Sequence, residues 1–249
     1  MKIAGKLSLV TGGTKGIGAA TAIELARLGS DVIINGRQID DEAKRTKEKI
    51  ESTGRRCLVM AGDVSIPAQA TQCVQGAVEQ FGGVDVLVHA AGTNAVGGLL
   101  DISVESWYKT FDLHVHAVFH LCRAVVPEMK KRHEGAIILI SSAAGLRGCL
   151  GALAYGVAKG ALPQFARSLA RELADDNIRV NCVSPGIIRT RFQDYLTPEQ
   201  VRTNIEKRIP LRREGSPEHV AAVIAMLVVN DFITGENIVV DGGMTMRIA

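Results

Sequence analysis

Short runs of apolar, often β-branched residues recur along the chain, separated by stretches in which apolar positions repeat at helical spacing. Seven runs read as strands: Leu7–Thr11, Asp31–Asn35, Cys57–Ala61, Val84–Ala90, Ala136–Ser141, Ile178–Ser184 and Asn237–Asp241. In the first intervening segment Ala19, Ala22, Ile23 and Ala26 stand at i, i+3, i+4 and i+7, and Gly29 follows as a C-cap. Strand–helix alternation of this kind builds βαβ units, which bury a parallel sheet under helices on both faces. The expected fold is α/β, a doubly wound, seven-stranded, mainly parallel sheet, formed by residues 1–249 as one domain. No stretch reads as an interdomain linker or an internal repeat. The one long irregular region, roughly Gly186 to Pro198, follows a strand and is a candidate lid.

Composition narrows the class. Apolar residues make up 47% of the chain and aromatics only 4%, with 26 glycines, which suits tight packing of helices on a sheet. A net charge of +3 gives no reason to expect nucleic acid or a membrane surface as partner. The five cysteines are scattered and include no C-x-x-C pair, the pattern of buried thiols in a reducing cytoplasm. Met1 to Lys6 lead straight into the first strand, so no signal peptide is expected, and no apolar run has the length of a membrane span.

Between the first strand and the first helix lies Thr11-Gly12-Gly13-Thr14-Lys15-Gly16-Ile17-Gly18. Glycines here let the backbone turn sharply and approach a pyrophosphate. The helix N-terminus behind them offers free N–H groups and a positive dipole end. The expected sheet is thus Rossmann-type, with a dinucleotide at its carboxyl edge. NAD sites place an acid at the end of the second strand to hold the ribose hydroxyls; this chain has Gly36-Arg37 there. Arg37 can grip a 2′-phosphate bidentately and Lys15 can add a second cation, so NADP(H) is favoured over NAD(H). Asp40 and Asp41 suit the first turn of the next helix.

Tyr155 and Lys159 stand at i, i+4 in a helical context, on one helix face. A cation beside a phenol favours the phenolate and lowers its pKa from about 10 toward neutrality, which makes Tyr155 a general acid or base. Ser142 lies at the carboxyl end of the fifth strand, where such sheets bind ligands, and its hydroxyl can hold a substrate oxygen.

With these landmarks in order, the chain resembles the short, single-domain branch of the short-chain dehydrogenase/reductase family over essentially its whole length. The resemblance rests on the Thr11–Gly18 loop, Asp63-Val64, Ala91-Gly92, Ser142, Tyr155, Lys159, Pro185-Gly186, Thr190 and the terminal Val240-Asp241-Gly242-Gly243. It implies that Ser142 orients a substrate carbonyl, Tyr155 donates the proton, and Lys159 grips the nicotinamide ribose and tunes Tyr155. Asp63 and Val64 would hold the adenine, and Ile188 and Thr190 the nicotinamide amide. It also implies a homotetramer, with the long helices containing His114 and Tyr155 packed across one two-fold axis and the last strand, near Val239, across another.

Two positions depart from the family pattern. His89-Ala90-Ala91-Gly92 replaces the usual Asn-Asn-Ala-Gly, and His114 stands where a catalytic Asn holds a relay water. A His at 114 either carries that relay, titrating near neutrality, or packs against its neighbours. His116 and His120 have i, i+4 spacing but no third ligand, and read as surface or interface residues. Lys130-Lys131-Arg132 reads as a helix C-terminus. Family members that use acyl carrier protein dock it on basic residues here, but Asp176 occupies a second such position, so that partner is not favoured. Leu146, Leu153, Ile187, Phe192 and Tyr195 give a pocket apolar character, whereas Arg147, Arg189 and Arg191 suit an anionic group. A 3-oxoacyl thioester, a sugar or polyol, and a cyclic ketone all remain open as substrates. The expectation is a cytoplasmic NADP(H)-dependent oxidoreductase that interconverts a small-molecule carbonyl and an alcohol. Its rival is a non-catalytic NADP-binding regulator or scaffold on the same fold.

Overall fold

A computed structural model describes residues 1–194 and 196–246, apart from the side chain of Phe192. Two of the pocket residues expected from the sequence, Phe192 (by its side chain) and Tyr195, lie outside the described residues.

Seven strands form one sheet: β1 (Leu7–Thr11), β2 (Asp31–Gly36), β3 (Cys57–Ala61), β4 (Val86–His89), β5 (Gly135–Ile140), β6 (Ile178–Pro185) and β7 (Asn237–Val240). Their order is β3-β2-β1-β4-β5-β6-β7 and every pairing is parallel. The helices are α1 (Gly16–Arg27), α2 (Asp41–Glu51), α3 (Pro67–Phe81), α4 (Val104–Phe111), α5 (Ala117–Arg132), α6 (Leu153–Leu173), α7 (Pro198–Thr203) and α8 (Pro217–Val229).

Successive strand residues serve opposite faces. Leu9, Ile33, Leu87 and Ile137 pack with α3, α5 and α6, while Val10, Ile34, Val88 and Ile138 pack with α1, α2 and α8. All eight of these side chains are fully buried. That is why the central strands read as continuous apolar runs rather than alternating ones.

Three local expectations change. In α1 the buried stripe is Gly18, Thr21, Ala22, Leu25 and Ala26, so Ala19 and Ile23 sit at its margin. The fourth strand is Val86–His89, shorter at both ends than the apolar run, although Asp85 and Ala90 still donate to Leu7 and Thr11 of β1. The segment after β6 is not wholly irregular: it holds a 3-10 turn, Arg191–Gln193, before Thr197 caps α7.

Cys57, Cys73, Cys122 and Cys182 are buried free thiols, and burial pushes each of their pKa values up to about 12. Cys149 is the exception. It is exposed, in the loop before α6.

β1 sits between β2 and β4, where the winding of the sheet reverses. Crevices for ligands open at the carboxyl ends of strands at such a point.

Candidate active site

The loop after β1 fits a phosphate cradle. Lys15, the N-cap of α1, is extended and makes no side-chain cap, and the first turn of α1 holds no acid. Its orphan N–H groups are therefore free for an anion. The next helix is built the other way: Asp40 accepts from the Ala43 N–H, and Asp41 and Glu42 follow in the first turn. A Cβ on Gly18 would collide with the Gly12 carbonyl, and one on Gly12 would lie 2.6 Å from Ala91 N. Only bare backbone lets the β1 loop close on the first helix and on the Ala91-Gly92 turn beyond β4. Thr14 is buried, its carbonyl accepting from Thr46 Oγ1 of α2 at 2.9 Å; Ile17 is half-buried against the core under α1. Arg37 is exposed just past the end of β2. Asp63 accepts from the N–H and the hydroxyl of Ser65, and Val64 is buried.

At the far side of the crevice Pro185 ends β6. Gly186 donates to Val240 at 2.9 Å and lies so close to Asp241 that a Cβ would meet Asp241 Cβ at 2.6 Å. Ile188 is buried and pairs with Gly215, which holds the root of the following segment. Thr190 leans over the phosphate loop: a Cβ on Gly16 would lie 3.5 Å from Thr190 Cγ2.

The catalytic candidates converge on α6. Lys159 is 4% exposed, and its ammonium donates to the Ile140 carbonyl at 2.6 Å; burial lowers its pKa to about 8. The Nζ stands 5.8 Å from the centre of the Tyr155 ring. Pro163, four residues on, has no N–H, so the Lys159 carbonyl loses its helical donor. Ser141 Oγ donates to that carbonyl instead, at 2.7 Å. The two serines after β5 thus divide the work. Ser141 locks α6 to the strand end, and Ser142 opens a 3-10 turn by accepting from Ala144 N at 3.1 Å, which leaves its own proton to donate. That turn is pressed onto α6, since a Cβ on Gly145 would lie 2.7 Å from Gly160 N. Ser141 was not anticipated from the sequence. Pro163 placed four residues after Lys159 is the signal that points to such a donor.

Both unusual histidines face the lysine. His89 is 1% exposed; Nδ1 pairs with Thr11 Oγ1 at 2.9 Å, and Nε2–H donates to the Leu113 carbonyl at 3.2 Å. Leu113 lies in a π-helical turn, Asp112–His116, that joins α4 to α5 and turns His114 inward. His114 is fully buried. Its short 3.0 Å contact with the Thr93 carbonyl assigns the proton to Nε2, which leaves Nδ1 without a hydrogen-bond partner among the described residues. The ring meets Tyr155 edge-on at 5.5 Å, and a Cβ on Gly92 would sit 2.8 Å from His114 Cε1 and 3.8 Å from Lys159 Nζ. Burial, then the charge of Lys159, lower the His89 pKa to about 3 and that of His114 well below 6.5. Of the two readings left open for His114, burial weighs against titration near neutrality, because it favours the neutral imidazole.

The other charged candidates are largely taken. Arg189 pairs with Glu214 at 2.6 Å and Arg191 with Glu42 at 3.1 Å. Lys130 pairs with Asp176 and Lys131 with Glu128, each at 2.7 Å, and Arg132 with Asp85 at 3.4 Å. His116 is exposed and bound to Asp112 at 2.9 Å, and His120 meets the Phe119 ring edge-on. Among the described residues no three His, Cys, Asp or Glu side chains gather as a metal site, and no helix is long and apolar enough to cross a membrane.

A family model described as Enoyl-(Acyl carrier protein) reductase matches residues 12–245. The chain is 38% identical over 254 residues to "Dehydrogenase/reductase SDR family member 4" of Homo sapiens, covering 99% of this chain and 90% of that protein. It is 34% identical to "Oxidoreductase UcpA" of Escherichia coli (strain K12), over 98% of this chain and 96% of that one. Among solved structures, L-sorbose reductase from Gluconobacter frateurii, complexed with NADPH and L-sorbose, superposes with a TM-score of 0.92 at 31% identity, covering 100% of each chain. Identity at this level along nearly the whole of each sequence exceeds what a shared fold alone produces, and the chain belongs to the short-chain dehydrogenase/reductase family of oxidoreductases.

Proposed function

We propose that the protein is an NADP(H)-dependent oxidoreductase that interconverts a neutral ketone or aldehyde and the corresponding alcohol. The observation that carries this is the buried Lys159 ammonium set over Tyr155, with Ser142 docked against the same turns of α6. A bound nicotinamide supplies or accepts the hydride. Ser142 Oγ donates to the substrate oxygen and fixes its position. Tyr155 gives its hydroxyl proton to that oxygen on reduction and takes it back on oxidation. Lys159 favours the phenolate between these events. The Nδ1 lone pair of the neutral His114 accepts a hydrogen bond from a relay water beyond Lys159 and so positions it, without itself taking up the proton.

Arg37 and Lys15 hold a 2′-phosphate, and the NADPH carried by the sorbose reductase supports that preference. Asp63 and Val64 flank the adenine. His89 keeps the crevice in shape from behind Ala91 and Gly92, and Pro185, Gly186, Ile188 and Thr190 line the nicotinamide end. A neutral substrate suits a site whose nearby Arg189 and Arg191 are already paired, and the paired Lys130-Lys131-Arg132 leaves little for an acidic carrier to grip. We take the enzyme to be a cytoplasmic homotetramer. Exposed Tyr108, Phe119, Val157 and Val239 on α4, α5, α6 and β7 support the assembly.

The deciding assay follows NADPH and NADH oxidation across sugars, cyclic ketones, 3-oxoacyl thioesters and 2-enoyl thioesters, with the reverse reaction on the alcohols. Turnover on a carbonyl is expected, and Tyr155→Phe should lower kcat by about 10²- to 10⁴-fold without weakening cofactor binding. Reduction confined to the 2-enoyl thioester would move the activity to the C=C bond. A protein that binds cofactor and never consumes it is the regulator instead.

A further inference from the structure

One carboxylate joins the two segments that face each other across the dinucleotide crevice. Glu42, in the first turn of α2, has a side chain only 21% exposed. Its Oε2 stands 3.8 Å from Lys15 Nζ in the phosphate loop and 3.1 Å from Arg191 Nη1 in the 3-10 turn after β6. Its position is fixed from both sides. Thr46 of α2 donates to the Thr14 carbonyl, so α2 is tied to the phosphate loop. The root of the post-β6 segment is held by the Ile188–Gly215 pairing and by Arg189 on Glu214, whose side chain is 7% exposed. Between root and tip, Thr190 lies over Gly16.

We infer that Glu42 is a positioning residue for the cofactor: it ties the tip of the 186–194 segment to the phosphate loop and so sets how fast a bound dinucleotide leaves. This presumes the dinucleotide crevice proposed above. Glu42 sits at a helix N-terminus, where a negative charge is favoured, and is shared by two cations. Asp40 and Asp41, the other acids of this turn, are turned to other work, Asp40 capping the helix and Asp41 pairing with Lys44.

The test has two arms. In the first, release of NADPH and NADH is followed by stopped-flow fluorescence from the parent protein, Glu42→Gln, Arg191→Gln and the double variant. Each single variant should release both cofactors about three- to five-fold faster, the equivalent of somewhat under ~1 kcal/mol. The double variant should be no faster than either single one. Added salt should speed release from the parent and not from Glu42→Gln, and Glu42→Asp should recover part of the slow release. In the second arm, hydrogen exchange is read in the cofactor-free protein. The Gln193 and Asp194 amides, bonded to Thr190 and Arg191, should exchange faster in Glu42→Gln. Unchanged release together with unchanged exchange, or strictly additive effects in the double variant, would overturn the inference. If neither dinucleotide binds any of these proteins, the cofactor assignment fails, while exchange in the cofactor-free protein still decides whether Glu42 holds the segment.

Discussion

Burying two imidazoles beside an ammonium makes the fold sensitive to mild acid. In the folded protein His89 is held at about 3 and His114 well below 6.5, whereas in the unfolded chain each takes up a proton near 6.5. Below that pH the unfolded state binds more protons, so stability falls as pH falls. It is fully present above 6.5 and is lost progressively toward the folded pKa values. Each histidine contributes a slope of about 1.4 kcal/mol per pH unit. At pH 5 that amounts to roughly 2 kcal/mol for His89, with His114 adding in the same direction, against a total stability on the order of 5–15 kcal/mol. Lys159, with a folded pKa of about 8, is protonated in both states throughout this window and adds no slope there. Urea unfolding midpoints from pH 5 to 7, below the Lys159 titration, measure the effect. His89→Asn and His114→Asn should each reduce the slope, because an amide does not titrate. A parent protein equally stable at pH 7 and pH 5, or variants that keep its full slope, would refute the reasoning.

Three further outcomes bear on the site. His114→Leu removes the Nδ1 lone pair and should lower kcat by about 10²-fold, whereas His114→Asn should stay active; neither parent nor variant should show a kinetic limb near pH 6.5, and a fully active Leu variant ends the relay. Arg37→Asp should weaken NADPH binding by about 10²-fold and leave NADH nearly unchanged, and equal dissociation constants for the two cofactors in the parent would remove the premise. Light scattering at micromolar concentration should return the mass of four chains, and a monomer mass would rule out the tetramer.

Much of the architecture was legible because central parallel strands are apolar on both faces. Val32, Ile33 and Ile34 or Ala136, Ile137 and Ile138 leave little room for another assignment. Strand ends were not legible. Val84 is as buried as Val86, and only pairing with β1 and β5 decides where β4 stops. In α1 the Ala-rich sequence offers two overlapping stripes, and contact with α8 and the sheet selects the one through Thr21 and Leu25. Within the site, Thr11–Gly18 and Tyr155–Lys159 were legible because each motif lies in one short stretch of sequence. What escaped depends on partners far apart in sequence: Leu113 held by His89, Thr93 by His114, Glu42 by both Lys15 and Arg191. The protonation of His114 escaped for the same reason, since a sequence names the imidazole but not the depth at which it is buried.

The strand order has a consequence for how the chain is made. β2 can dock on one edge of β1 and β3 on the outer edge of β2. β4 then takes the remaining edge of β1, and β5, β6 and β7 each extend the sheet outward from the strand before. Among the described residues, no strand has to be threaded between two already joined. A growing polypeptide emerging from the ribosome can therefore add each strand to an open border as it appears, without unzipping what has formed. While the outer edge of β3 stays as one border, the other advances with synthesis, from β1 to Val86–His89, then Gly135–Ile140, then Ile178–Pro185. The vulnerable intervals in biosynthesis are the waits between these strands, when α4 and α5, and later α6, are being translated.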